Sequence, residues 1–188
     1  IISGCTYIGK IMIINEGDSQ SSCGGIAGIN LGQGGNVLVH NCITTGHIYN
    51  NFSGGICGKG VGLDGGKVVI SNCTVVGDIR AFSGKEEGSG GICGSECAKD
   101  TTFFNDDEFK SRVFIVNCNF LGGLTYNANP GKSGSIVGSD AANGGDLYII
   151  GCRTSVGTAD INTSNGIFIG SSVPETMQST NSKIFIIA

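Results

Sequence analysis

A six-residue phrase recurs along this chain and decides what it can fold into. Val37-Leu38-Val39-His40-Asn41-Cys42, Val68-Val69-Ile70-Ser71-Asn72-Cys73, Val113-Phe114-Ile115-Val116-Asn117-Cys118 and Leu147-Tyr148-Ile149-Ile150-Gly151-Cys152 follow one pattern, and Ile1-Ile2-Ser3-Gly4-Cys5 is its shortened first copy. Four residues after the cysteine comes glycine, then any residue, then an aliphatic: Gly9-Lys10-Ile11, Gly46-His47-Ile48, Gly77-Asp78-Ile79 and Gly122-Gly123-Leu124, with the fifth copy slipping by one residue to Gly157. A third block closes each unit: Gly24-Gly25-Ile26-Ala27-Gly28, Gly54-Gly55-Ile56-Cys57-Gly58, Gly90-Gly91-Ile92-Cys93-Gly94, Gly134-Ser135-Ile136-Val137-Gly138 and Gly166-Ile167-Phe168-Ile169-Gly170. The cysteines stand 37, 31, 45 and 34 residues apart, so unit length varies while the blocks persist.

Apolar, β-branched blocks of four to six residues bounded by Gly and Asn read as strands, and none is long enough for a typical helix. Each repeat therefore offers three short strands, one per block. One such unit cannot bury its own apolar face. Units stacked about 4.8 Å apart pair their backbones and pile equivalent side chains into ladders. The expected fold is all-β: a right-handed parallel β-solenoid, or β-helix, of about five three-stranded coils with variable loops. It forms a single domain over 1–188, with a loop insertion at 95–112. Thirty-four glycines suit such a turn-rich design, and no glycine period of three points to collagen.

The string Asn-Cys-x-x-x-Gly-x-Ile followed by Gly-Gly-Ile-Cys-Gly resembles the GLUG repeat of bacterial and archaeal surface adhesins, whose consensus runs close to Asn-x-x-x-x-Gly-x-Val and Gly-Gly-Leu-Val-Gly. The likeness covers almost all of the chain. The regular cysteine and the insertion at 95–112 depart from it. The resemblance implies a solenoid architecture and an extracellular or cell-surface setting, and it implies no ligand.

The position before the cysteine is Gly4, Asn41, Asn72, Asn117 and Gly151, residue types that tolerate a left-handed backbone, so a corner is expected there. The corner resets the alternation, which lets the aliphatic column Ile2, Val39, Ile70, Ile115, Ile149 and the column Cys5, Cys42, Cys73, Cys118, Cys152 both face inward. Free cysteine packs as a small apolar residue, and the spacings do not follow a zinc pattern. Cys23 and Cys97 fall outside the ladder and are the expected candidates for a disulfide, with connectivity open.

Catalysis by a β-helix enzyme acting on carbohydrate would call for clustered carboxylates. The acidic run Asp106-Asp107-Glu108 reads instead as a solvated loop, and His40 and His47 flank one corner without repeat equivalents. No cofactor or metal site is expected. The formal net charge of −4 with scattered Lys and Arg excludes a nucleic-acid footprint, and no apolar run is long enough for a membrane span. Among the Asn-x-Ser/Thr sequons, Asn51 and Asn162 are the candidate glycosylation acceptors.

The first strand's outer column, Leu38, Val69, Phe114, Tyr148 and Phe185, is apolar, and its neighbour turns apolar at Val116, Ile150 and Ile187. The insertion, with Phe103, Phe104 and Phe109, is expected to cover that wall. Lys183-Ile184-Phe185-Ile186-Ile187-Ala188 matches the first strand of a sixth coil. If the chain is complete, Ile184, Phe185, Ile186 and Ile187 of one copy can pair with Ile1 and Ile2 of the next, giving a head-to-tail homopolymer. If it is a segment, both edges continue covalently, as in a stalk or adhesive module that meets surface glycans or other cell-surface proteins. The expectation is thus a non-catalytic structural solenoid, with the adhesin module and a carbohydrate-active enzyme as alternatives.

Overall fold

The computed structural model describes residues 1–12, 22–81, 88–101, 107–126, 133–155 and 183–187. The chain winds through repeated coils of three short strands. The first coil holds β1 (Ile2–Ser3), β2 (Thr6–Tyr7) and β3 (Lys10–Met12), and the second β4 (Asn36–His40), β5 (Ile43–Thr44) and β6 (His47–Tyr49). The third holds β7 (Lys67–Ser71), β8 (Thr74–Val75) and β9 (Ile79–Ala81), and the fourth β10 (Arg112–Val116), β11 (Asn119–Phe120) and β12 (Leu124–Tyr126). Then come β13 (Asp146–Ile150), β14 (Arg153–Thr154) and β15 (Lys183–Ile187). Equivalent strands stack into three parallel sheets, in the orders β1-β4-β7-β10-β13-β15, β2-β5-β8-β11-β14 and β3-β6-β9-β12. This is a parallel β-solenoid. Its only helical element among the described residues is a 3₁₀ turn, Asp107–Phe109.

Register follows from alternation. Ile2, Val39, Ile70, Ile115, Ile149 and Ile186 pair position for position down the first sheet. Val39, Ile70 and Ile115 are fully buried there, at about 1.5–3 kcal/mol per aliphatic side chain removed from water. Between them Leu38, Val69, Phe114 and Tyr148 face outward and are half-buried. The chain then turns through a left-handed residue in every coil: φ is 63° at Gly4, 54° at Asn41, 51° at Asn72, 51° at Asn117 and 61° at Gly151. That turn brings the following cysteine inward, so the aliphatic and thiol columns lie side by side.

The Gly-Gly-Ile block is not a strand. Its backbone bends sharply and joins its neighbours through single bridges at either end, Gly24↔Gly54↔Gly90↔Gly134 and Ala27↔Cys57↔Cys93↔Val137. The third strand of the coil comes instead from a two-residue stretch just after the cysteine. The physical reason is proximity. A β-carbon on Gly55 would lie 2.5 Å and 2.6 Å from the Val75 methyls, and one on Gly54 would lie 2.6 Å from the Gly94 nitrogen. These bends fit only where side chains are missing, and backbone bonds between coils hold them: the Ile26 amide donates to the Ile56 carbonyl at 3.0 Å, Ile56 to Ile92 at 3.0 Å and Ile92 to Ile136 at 2.9 Å.

The stretch 95–112 divides in two. Residues 95–101 belong to the coil, with the amides of Gly62, Ala98 and Ala142 donating to the carbonyls of Leu31, Val61 and Cys97 at 2.8, 2.8 and 2.7 Å. This stacks Leu31, Val61, Cys97 and Ala141 as a further column. Among the described residues of this stretch, the Asp107–Phe109 turn lies outside the coil pattern.

Candidate functional site

The thiol column is the most regular chemical feature of the fold. Cys42, Cys73 and Cys118 are fully buried, Cys152 is 9% exposed and Cys5 is exposed. Each sulfur donates to the carbonyl two residues earlier: Cys5 to Ser3 at 3.5 Å, Cys42 to His40 at 3.3 Å, Cys73 to Ser71 at 3.3 Å, Cys118 to Val116 at 3.5 Å and Cys152 to Ile150 at 3.6 Å. One side-chain geometry is therefore repeated five times. Hydrogen bonding from Cys118 lowers the Cys73 and Cys152 thiols to about 7, while Cys118 itself is pushed up by the same two neighbours and by burial. Burial raises Cys42.

A second thiol group sits under the Gly-Gly-Ile bends. Cys57 and Cys93 are bridge partners, and Cys93 hydrogen-bonds with both Cys57 and Cys97, its own thiol held well above the usual range by burial. Cys97 is fully buried, whereas Cys23 stands apart, 3.4 Å from the Ser53 hydroxyl and accepting from the Asn50 amide at 3.6 Å. The expected Cys23–Cys97 disulfide is thus absent, because the two lie in different columns; all nine cysteines are free thiols.

A serine ladder accompanies these columns. The hydroxyl of Ser53 accepts the Cys23 amide, Ser89 accepts Ser53 and Ser133 accepts Ser89, each at 3.1 Å. Ser53 and Ser89 also donate to the Asn51 and Asn50 carbonyls at 2.9 and 3.2 Å. The signal was in the sequence as the serine before Gly54-Gly55, Gly90-Gly91 and Gly134-Ser135. Asn51 is 9% exposed within this layer, and Asn162 lies outside the described residues.

The carboxylates are tied to backbone and to one another's partners. Asp100 is buried and accepts from the Gly65 amide at 3.0 Å, the Ser111 amide at 3.1 Å and the Ser111 hydroxyl. Glu96 accepts from Lys99 at 2.7 Å, and Lys99 reaches Asp140 at 2.9 Å. Asp106 lies outside the described residues, and Glu108 is exposed in the 3₁₀ turn. His40 and His47 sit on different sheets and do not meet. His47 accepts the Asp78 amide at 3.1 Å. Among the described residues no group of three or more His, Cys, Asp or Glu side chains is placed to hold a metal ion, and no helix is long and apolar enough to cross a membrane.

The edge strands carry exposed apolar residues: Ile1 at the first coil, and Ile184, Phe185, Ile186 and Ile187 along β15, while Ile2 is half-buried. On the outer wall the rings of Phe114 and Tyr148 stack at 4.4 Å, and those of Tyr148 and Phe185 at 4.8 Å, nearly parallel. Of the aromatics expected to cover that wall, Phe109 is exposed, and Phe103 and Phe104 lie outside the described residues. No protein-family model, no curated protein and no solved structure matches this chain.

Proposed function

We propose that the chain is a non-catalytic structural solenoid of an extracellular or cell-surface setting, whose coils continue head to tail onto those of a second copy. One observation carries this reading. β15 repeats the rung position of β1, because Ile186 pairs with Ile149 and, through the same column, stands where Ile2 stands. A β1 strand laid on the far side of β15 would set Ile2 on Ile186 and Ser3 on Ile187. The inward aliphatic column and the backbone ladder would run on without a change of register. The Ile187 carbonyl accepts the Gly151 amide at 2.8 Å, so by alternation the Ile186 N-H points to the other side of the strand. A contact of this kind does not close on itself and yields filaments.

The repeats' likeness to GLUG adhesin motifs supports the surface setting, and in a stalk of that type the same two faces would be continued by further coils of one polypeptide. Electron microscopy of the purified chain separates the two arrangements. Head-to-tail stacking gives filaments, and Ile186→Pro, which removes a donor from the joint, abolishes them while the β-sheet circular dichroism of the earlier coils persists. Single short rods from the wild type, or filaments of unchanged length from the proline variant, would overturn the proposal.

A further inference from the structure

Packing alone does not ask for five thiols in one column. The equivalent place in the neighbouring bend column is filled by Ala27, Cys57, Cys93 and Val137 in turn, so small apolar residues of several kinds suit such a position. In the main column every rung is cysteine, and every rung has the same side-chain geometry. The flanking strands hold these residues in register: the amides that follow Cys42, Cys73 and Cys118 in the next coil, those of Thr74, Asn119 and Arg153, donate to the cysteine carbonyls at 2.9 Å each. Parallel strands lie about 4.8 Å apart, inside the roughly 4.4–6.8 Å Cα separation that a disulfide spans.

Two sulfurs lean toward the preceding coil. Cys118 Sγ comes within 3.6 Å of the Ile70 carbonyl, and Cys152 Sγ within 3.4 Å of the Ile115 carbonyl, next to the rung that holds Cys118. Cys152 is also the one of the four inner thiols with residual exposure. We infer that this column is a site of oxidative modification, at which Cys118 and Cys152 close into a disulfide that joins adjacent coils when the folded protein meets a peroxide.

The chemistry balances with peroxide as the only added reagent. The Cys152 thiolate, available near neutral pH because its thiol sits at about 7, attacks one peroxide oxygen. An S–O bond forms, the O–O bond breaks, and the other oxygen leaves as hydroxide, which takes up the proton the Cys152 thiol gave up and becomes water, leaving a sulfenic acid. Cys118 Sγ then attacks the Cys152 sulfur; the S–S bond forms, the S–O bond breaks, and the hydroxyl leaves as water with the proton Cys118 gives up. Two thiols lose two electrons, and one peroxide becomes two waters.

The test is peptide mapping without reduction after the intact folded chain has been treated with hydrogen peroxide and its remaining thiols blocked. A linked pair of peptides containing Cys118 and Cys152, reversed by dithiothreitol and accompanied by a higher melting temperature, supports the inference. In Cys118→Ser, which keeps a hydrogen-bond donor beside Cys152 but cannot form the link, the sulfenic acid should persist at Cys152 and be trapped by dimedone, whereas Cys73→Ala should leave the link intact. Cys152 over-oxidised beside a free Cys118 in the wild type would overturn it. So would links at other pairs with none at Cys118–Cys152, or no oxidation until the chain unfolds. The wild-type map decides the matter even where a variant does not fold.

Discussion

The phenyl ring of Phe120 lies so close to the backbone of Gly91 that a β-carbon on residue 91 would meet ring atoms at 2.5 and 2.6 Å. Val75 presses on Gly55 and Thr44 on Gly25 in the same way, one coil below. The second glycine of each pair is therefore the floor on which the second sheet's inward residue rests. Gly91→Ala would also drive its methyl into the Ser135 carbonyl, which is backbone and cannot swing aside. A loss of about 3 kcal/mol is expected in urea unfolding. Gly28→Ala meets nothing within 4 Å and should stay within about 0.5 kcal/mol of the wild type. Equal effects at the two positions would contradict the packing described.

Thr44 is fully buried, and its hydroxyl has no hydrogen-bond partner. The rungs above it hold Val75 and Phe120, which are apolar. An unpaired buried hydroxyl costs free energy that a methyl of the same shape would not. Thr44→Val should raise stability by about 1 kcal/mol, whereas Thr44→Ser, which keeps the hydroxyl and loses the methyl, should lower it. A valine variant less stable than the wild type in thermal unfolding would show that the hydroxyl has a partner.

What could be read from the sequence was set by periodicity. The first strand alternates over five residues and ends at an Asn or Gly before cysteine, so its inward and outward columns could be assigned from Val37 to Val39 alone. The Gly-Gly-Ile block was misleading because a buried isoleucine between glycines looks the same in a strand and in a tight bend; the difference lies in the neighbouring coil's backbone, which no single repeat displays. Strands such as Thr6–Tyr7 are too short to show any period. Asp100 carries a charge that suggests a wet loop, yet it is buried because Ser111, eleven residues later, supplies two donors. Cys97 looked like an outlier only because the long interval before Cys118 hid the fact that 95–101 still follows the coil.

The first strand's alternation can be tested at adjacent residues. Ile70 is fully buried between Val39 and Ile115, while Val69 faces outward and is half-buried. Ile70→Ala should cost about 2–5 kcal/mol through the cavity it leaves, and Ile70→Asp should unfold the chain, because an unpaired carboxylate in the core has no compensation. Val69→Thr should change stability by less than about 1 kcal/mol. A native melting curve for Ile70→Asp would show the register to be wrong.

Acid stability should depend on Asp64, which lies at a left-handed turn with φ of 50°. The Thr101 hydroxyl donates to its Oδ1 at 2.6 Å, the Thr101 amide to the same oxygen at 2.9 Å, and the Gln33 amide to Oδ2 at 3.0 Å. These bonds, the Thr101 hydroxyl foremost, hold the carboxyl below its ordinary 3.8 against the opposing effect of partial burial. A carboxyl whose pKa is lower in the folded chain than in the unfolded one stabilises the fold above the unfolded value. That contribution is lost as pH falls through the folded value. Thr101→Val removes the largest cause, so the variant should be less stable than the wild type at neutral pH, by no more than about 1 kcal/mol because the pair is open to solvent. The two stability curves should converge as pH drops below 3.8. Unfolding by urea at a series of pH values reads this directly, and a difference that stays constant down to full protonation would show that Thr101 acts through packing and not through the Asp64 carboxylate.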